Sequence, residues 1–124
     1  MDKNLSFKFT VTYSVDNENL ACEDMSMKVK IAGINYHLDK NDGDYFGLLA
    51  GYIENEPDNP VDSSAIGIYA NDGKLVGYIP KTEIAKVNKF TEGEMMPCFL
   101  QIAPFVDNEG KVAMQGTAVL LKLY

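Results

Sequence analysis

The stretch "AIGIYANDGKLVGYIP", residues 65 to 80, constrains the fold of this chain more than any other. Two short apolar runs, 65–70 and 74–79, meet through Asn71-Asp72-Gly73, where Gly73 can take the positive φ that a tight β-hairpin requires. Pro80 ends the second run because it has no backbone donor, and its ring suits the beginning of a helix. The spacing of Ile84, Val87 and Phe90 predicts a helix of about two turns after it, with those three side chains toward the core.

The rest of the chain reads as further short strands. "FKFTVTYSV" at 7–15 alternates without error, placing Phe7, Phe9, Val11, Tyr13 and Val15 on one face. "MKVKIAGINYHL" at 27–38 resumes the alternation through Met27, Val29 and Ile31 until Gly33, a glycine whose place in a strand signals a bulge or a close backbone approach. After the Asp- and Asn-rich loop "DKNDGD" at 39–44, "YFGLLAGYI" at 45–53 reads as a mostly buried strand, and a second turn spans 55–64. "MPCFLQIAPF" and "KVAMQGTAVLLKLY" close the chain on either side of the loop "VDNEG". Seven short strands and one short helix predict a mainly-β fold, a small antiparallel barrel of the OB-like or SH3-like kind. With 124 residues and no repeat, linker or low-complexity tract, the chain is expected to be one domain over 1–124.

Charge and chemistry narrow the function classes. Between Asp39 and Asp62, seven carboxylates face the single Lys40, so this segment holds a net of −6 out of the chain's −7. Arginine is absent, which removes the planar fork that clamps phosphates or guanine edges. No stretch has the length of a membrane span, and the N-terminus lacks the pattern of a signal peptide, so a cytoplasmic protein without a membrane role is expected. Cys22 and Cys98 make no CxxC, and His37 is the only histidine, so no metal site and no cofactor are expected. No nucleophile, base and oxyanion donor can be assembled from the spacing, and no phosphate-binding glycine loop is present; the chain reads as a non-enzyme.

Three blocks in order, "AGINYH" (32–37), "EPDNPVDSSAI" (56–66) and "GKLVGYIPK" (73–81), resemble the HIRAN domain, a small β-barrel module found alone in some bacterial proteins and fused to Snf-type DNA-remodelling ATPases in eukaryotes. The resemblance covers roughly 28–105. It implies a module that binds single-stranded DNA at its free 3′-hydroxyl end, with aromatic rings on the last bases and a carboxylate near the hydroxyl. Carried over block by block, the strand after Gly33 would supply Asn35, Tyr36 and His37, where DNA-binding members have a basic residue and two aromatics. Tyr36 fits, His37 is a different planar ring, and Asn35 replaces the positive charge. In the second block Asn59 and Asp62 fit, while Val61 stands where an aromatic is expected; in the third, Tyr78 offers a ring and Lys81 a cation. A missing ring and a missing cation weaken the expected binding, since stacking is worth about 1–3 kcal/mol per base and phosphate neutralisation supplies the salt-dependent remainder. The acidic loop after "NYH" would repel a polyanion nearby.

Each of these residues also has a plainer reading. Asp58, Asn59 and Asp62 can serve only to turn the chain, Tyr36 and Tyr78 to pack half-buried in the barrel, and Lys81 to face solvent or to pair with Glu83. The alternative function is a protein-interaction module whose acidic loops meet a basic partner while an edge strand pairs with another chain, which also leaves a homo-oligomer open.

Overall fold

A computed structural model describes residues 26–122 of the chain. The expected strand at 7–15 and Cys22 lie outside the described residues. Six strands, β1 (Ser26–Lys30), β2 (Gly47–Asn55), β3 (Ile66–Ala70), β4 (Leu75–Tyr78), β5 (Met96–Val106) and β6 (Val112–Leu121), form one wholly antiparallel sheet in the order β1-β6-β5-β2-β3-β4. The hairpin that anchored the sequence reading is β3–β4, with Gly73 at φ 94 in its turn. Among the described residues a short helix, α1 (Ile84–Thr91), follows a 3-10 turn at Lys81–Glu83. It buries Val87 and packs Ile84 and Phe90 against the core, as the spacing predicted.

The sheet curls into a half-barrel because its inner face carries the large aliphatic side chains. Ile53, Ile68, Val76, Leu100, Ile102 and Leu120 are sealed from water, and truncating any of the isoleucines or leucines among them to alanine is expected to cost about 2–5 kcal/mol. The two outer strands then approach each other. Ile31 extends the β1–β6 ladder by one bond to the Gly116 carbonyl, and Ala32 crosses over to β4, exchanging hydrogen bonds of 2.8 and 2.9 Å with Tyr78. This bridge closes the curl. It depends on Gly77, where a Cβ would collide with the Ile31 side chain and come within 2.7 Å of the Ala32 carbonyl oxygen.

Two sequence expectations need correction. The stretch 34–36 is a 3-10 turn and not a strand, because Gly33 adopts φ 70 and reverses the chain directly after the bridge. The strand expected at 45–53 begins at Gly47, and it is buried on one face only: Gly51 and Ile53 point inward, while Leu48 is 73% exposed. An unbroken apolar run therefore arose here without two-sided burial.

Cys98 lies on the inner face of β5, and burial pushes its thiol up to about 12. In a Cys22→Ser protein, Cys98 is expected to react with a thiol reagent roughly a thousandfold more slowly when folded than when unfolded in denaturant. Rapid labelling of the folded protein would contradict this placement.

Candidate functional site

The loop 56–65 is built from its own polar side chains. Glu56 and Ala65 pair through the backbone (Glu56 N–H to the Ala65 carbonyl, 2.9 Å), and inside that closure Asn59 Oδ1 accepts from the N–H groups of Val61 and Asp62 at 2.9 and 3.1 Å. Asp62 Oδ1 accepts from both the N–H and the hydroxyl of Ser64, at 2.9 and 2.6 Å, and these bonds hold its carboxyl below the usual carboxylate range. The chain-turning reading thus holds for Asn59 and Asp62, while the Asp58 side chain makes no such bond among the described residues. It is compatible with a second role, since Asp62 Oδ2 makes no hydrogen bond among the described residues.

Glu56 organises the region, and sequence reasoning did not single it out. Its carboxylate accepts from Asn59 Nδ2 at 2.9 Å, from the Tyr78 hydroxyl at 3.2 Å and from the Tyr69 hydroxyl. Burial opposes ionisation, but these hydrogen bonds outweigh it and hold the group below its ordinary value. Burial and the carboxylate push both tyrosine hydroxyls upward, so they remain donors. Space for the carboxylate comes from Gly67, where a Cβ would lie 2.5 Å from Glu56 Oε2 and 2.7 Å from the Tyr69 ring. A glycine within a strand, flanked by Tyr69 on the same strand and Tyr78 directly across it, was the available signal for that close approach.

Above this network opens a groove of about 370 Å³. Its floor and walls are apolar (Ala32, Val61, Ala65, Ile79, Ile84), and its polar groups are Asn59, Asp62, Tyr78 and Lys81. Four of the seven residues singled out from sequence therefore converge, from the loop 56–65, from β4 and from the 3-10 turn after it. Lys81 does not pair with Glu83, which lies 3.8 Å from Lys86 instead. His37 does not line the groove, but its ring is tilted against Tyr78 with centroids 6.0 Å apart.

Asn35 and Tyr36 belong to a second, larger groove of about 700 Å³ on the outer side of β1, β6 and β5. The Asn35 side chain acts there as a substitute strand: its amide donates to the Met114 carbonyl at 3.3 Å and accepts from the Met114 N–H at 2.7 Å. Tyr36 is 91% exposed beside Gly33, a residue that lines both grooves. The acidic loop 39–44 lines neither. Asp39 and Asp42 satisfy N–H groups of their own turn, and Tyr45 ties its end to Asp72 at the hairpin tip with a 2.6 Å bond.

Burial holds the His37 imidazole below its ordinary 6.5, with Lys74 acting in the same direction and Glu56 against it. The folded state thus favours neutral His37, and as pH falls the unfolded chain takes up this proton first. Its contribution to stability is fully present above about pH 6.5 and declines as the pH drops through that value toward the lower folded-state pKa. Thermal melts across this window are expected to show a smaller loss for His37→Gln than for the wild type; equal losses would contradict the assignment.

Among the described residues, no three His, Cys, Asp or Glu side chains are placed to share a metal ion, and no helix is long and apolar enough to cross a membrane. Among models of known protein families, the HIRAN domain matches residues 24–96. Two solved structures are similar to the chain. The crystal structure of the HIRAN domain of human HLTF is 17% identical, with 81% of this chain and 78% of that one covered and a TM-score of 0.43. The NMR structure of the HLTF HIRAN domain in its DNA-bound conformation is 18% identical, with 80% and 77% covered and a TM-score of 0.41. No curated protein matches the chain.

Proposed function

Because the chain belongs to the HIRAN domain family, we propose that it is a non-catalytic module that binds single-stranded DNA by its 3′-hydroxyl end, in the groove beside Tyr78. The observation that carries this reading is the composition of that groove: an apolar slot with one ring, one carboxylate and one lysine at its margin. The terminal base lies against Tyr78 and the aliphatic wall of Val61 and Ile79, a contact worth about 1–3 kcal/mol when a full ring face is used. Asp62 Oδ2 accepts a hydrogen bond from the terminal hydroxyl, and Lys81 neutralises the neighbouring phosphate. Asn59 positions Asp62, Asn35 and His37 position the turn that carries Tyr36, and Tyr36 offers its exposed ring to a further base.

Fluorescence anisotropy with two labelled single strands, one free and one blocked at its 3′ end, tests the reading. A preference of roughly tenfold for the free end at low salt is expected, as for a hydrogen bond to a charged acceptor. Asp62→Asn keeps an oxygen for Ser64 while removing the charge, and it is expected to abolish that preference without unfolding the loop. Equal affinity for both strands would overturn the end-binding role. Absence of binding at low salt would turn attention to the alternative, a protein partner of the acidic loops.

A further inference from the structure

β1 alternates in the manner of a one-faced strand: Val29 enters the core, while Lys28 and Lys30 stay exposed. Both lysines line the larger groove, whose other wall is formed by Gln101, Phe105 and Gln115 of β5 and β6. Among the described residues no carboxylate lines this groove, although the chain carries a net charge of −7. The acidic loop that sequence reasoning set against a polyanion is anchored instead at the β3–β4 tip through Tyr45 and Asp72. The described lining of the groove thus reverses the sign of the protein's overall charge.

Its geometry suits an extended polyanion with flat side groups. Two lysines at i and i+2 on one strand face are about 6.7 Å apart along the strand, close to the step between successive phosphates of an extended single strand. The exposed rings of Tyr36 and Phe105 present π faces, and the two glutamine amides can donate or accept without selecting a base. Gly33 lines both this groove and the Tyr78 groove, with the Tyr36 ring beside it.

We infer that the larger groove is the track for the nucleotides that follow the bound end of the same single strand, with Lys28 and Lys30 on successive phosphates. The inference rests on the end-binding reading of the Tyr78 groove and extends it from a terminal nucleotide to a strand of several. The track is sequence-tolerant and salt-dependent, whereas the end groove confers the preference for a free terminus.

The test uses the full chain and thymidine strands with free or blocked 3′ ends, a dinucleotide and a strand of about eight nucleotides. The longer strand is expected to bind at least about tenfold more tightly at low salt. Lys28→Gln/Lys30→Gln is expected to remove most of that gain, to reduce the salt slope by about 1.4 for two lost phosphate contacts, and to leave dinucleotide binding unchanged. Equal affinity for both lengths, or a gain that survives in the double variant, would overturn the track while leaving the end-binding role intact. Equal competition by an oligoglutamate peptide would also overturn it, by showing that the lysines accept any polyanion. Loss of the free-end preference with the length gain preserved and lysine-dependent would support the track and overturn the end groove; no binding of any strand would overturn both.

Discussion

Replacing Gly77 with alanine is expected to destabilise the protein by about 2 kcal/mol, a drop in Tm of roughly 8 °C for a chain of this size. A methyl group buried in free space would act in the opposite direction, contributing about 0.8 kcal/mol from burial and about 0.4–1 kcal/mol from the stiffened unfolded chain. At Gly77 there is no such space. The new Cβ meets the Ile31 side chain and the Ala32 carbonyl oxygen, the latter at 2.7 Å, and the carbonyl can retreat only by giving up the hydrogen bond it accepts from the Tyr78 N–H, which puts the reciprocal bond from the Ala32 N–H at risk as well. Overpacking costs about 1–3 kcal/mol, and each lost bond adds about 1 kcal/mol, so the penalty exceeds the gain. Gly43→Ala is the matched control, because nothing lies within 4 Å of its added Cβ and its φ is not positive. Thermal melts of the two variants decide the matter: equal Tm values would mean that the bridge does not close the barrel. Since Tyr78 is the next residue, Gly77→Ala is also expected to weaken binding of a free DNA end.

The second large effect is expected at Glu56, in stability and in its dependence on pH. Glu56→Ala leaves the Asn59 amide and the hydroxyls of Tyr69 and Tyr78 without their shared acceptor, at a cost of about 2 kcal/mol. Water reaches this half-buried site and offsets part of the loss, which keeps the figure below the sum of three charged hydrogen bonds. Glu56→Gln retains an acceptor oxygen and is expected to recover part of the stability, while Asp58→Ala, exposed and outside the network, should be close to neutral. The pH signature follows from the lowered folded-state value. The contribution of Glu56 is fully present above about pH 4.5 and is lost as the pH falls through the lower folded-state pKa, because the unfolded chain binds that proton first. Wild type is therefore expected to lose more Tm than Glu56→Gln below pH 4.5, a window separate from that of His37. Parallel profiles for the two proteins would show that the carboxylate charge does not stabilise the network.

Much of the architecture was legible because its causes are local. The β3–β4 hairpin follows from Asn71-Asp72-Gly73, the end of β4 from Pro80, the inward face of α1 from the spacing of Ile84 and Val87, and β5–β6 from two apolar runs around a turn that ends at Gly110. The same locality explains the misreadings. A strand and a 3-10 turn at 34–36 are equally permitted by "INY", and only the reversal at Gly33 after the Ala32–Tyr78 bridge selects the turn. The apolar run of β2 could not reveal that Leu48 would face outward.

The candidate site divides in the same way. The sequence by itself determined the hairpin, the turn chemistry of Asn59 and Asp62, and the short family blocks that contain Tyr36, Tyr78 and Lys81. Those properties depend on neighbours a few residues apart. The tertiary structure alone decided that Glu56 gathers Tyr69, Tyr78 and Asn59 over Gly67, and that Asn35 serves β6. It alone separated the acidic loop from Lys28 and Lys30. Each of those arrangements joins segments distant in sequence, and what joins them is the register and curl of the closed sheet, which no single segment contains.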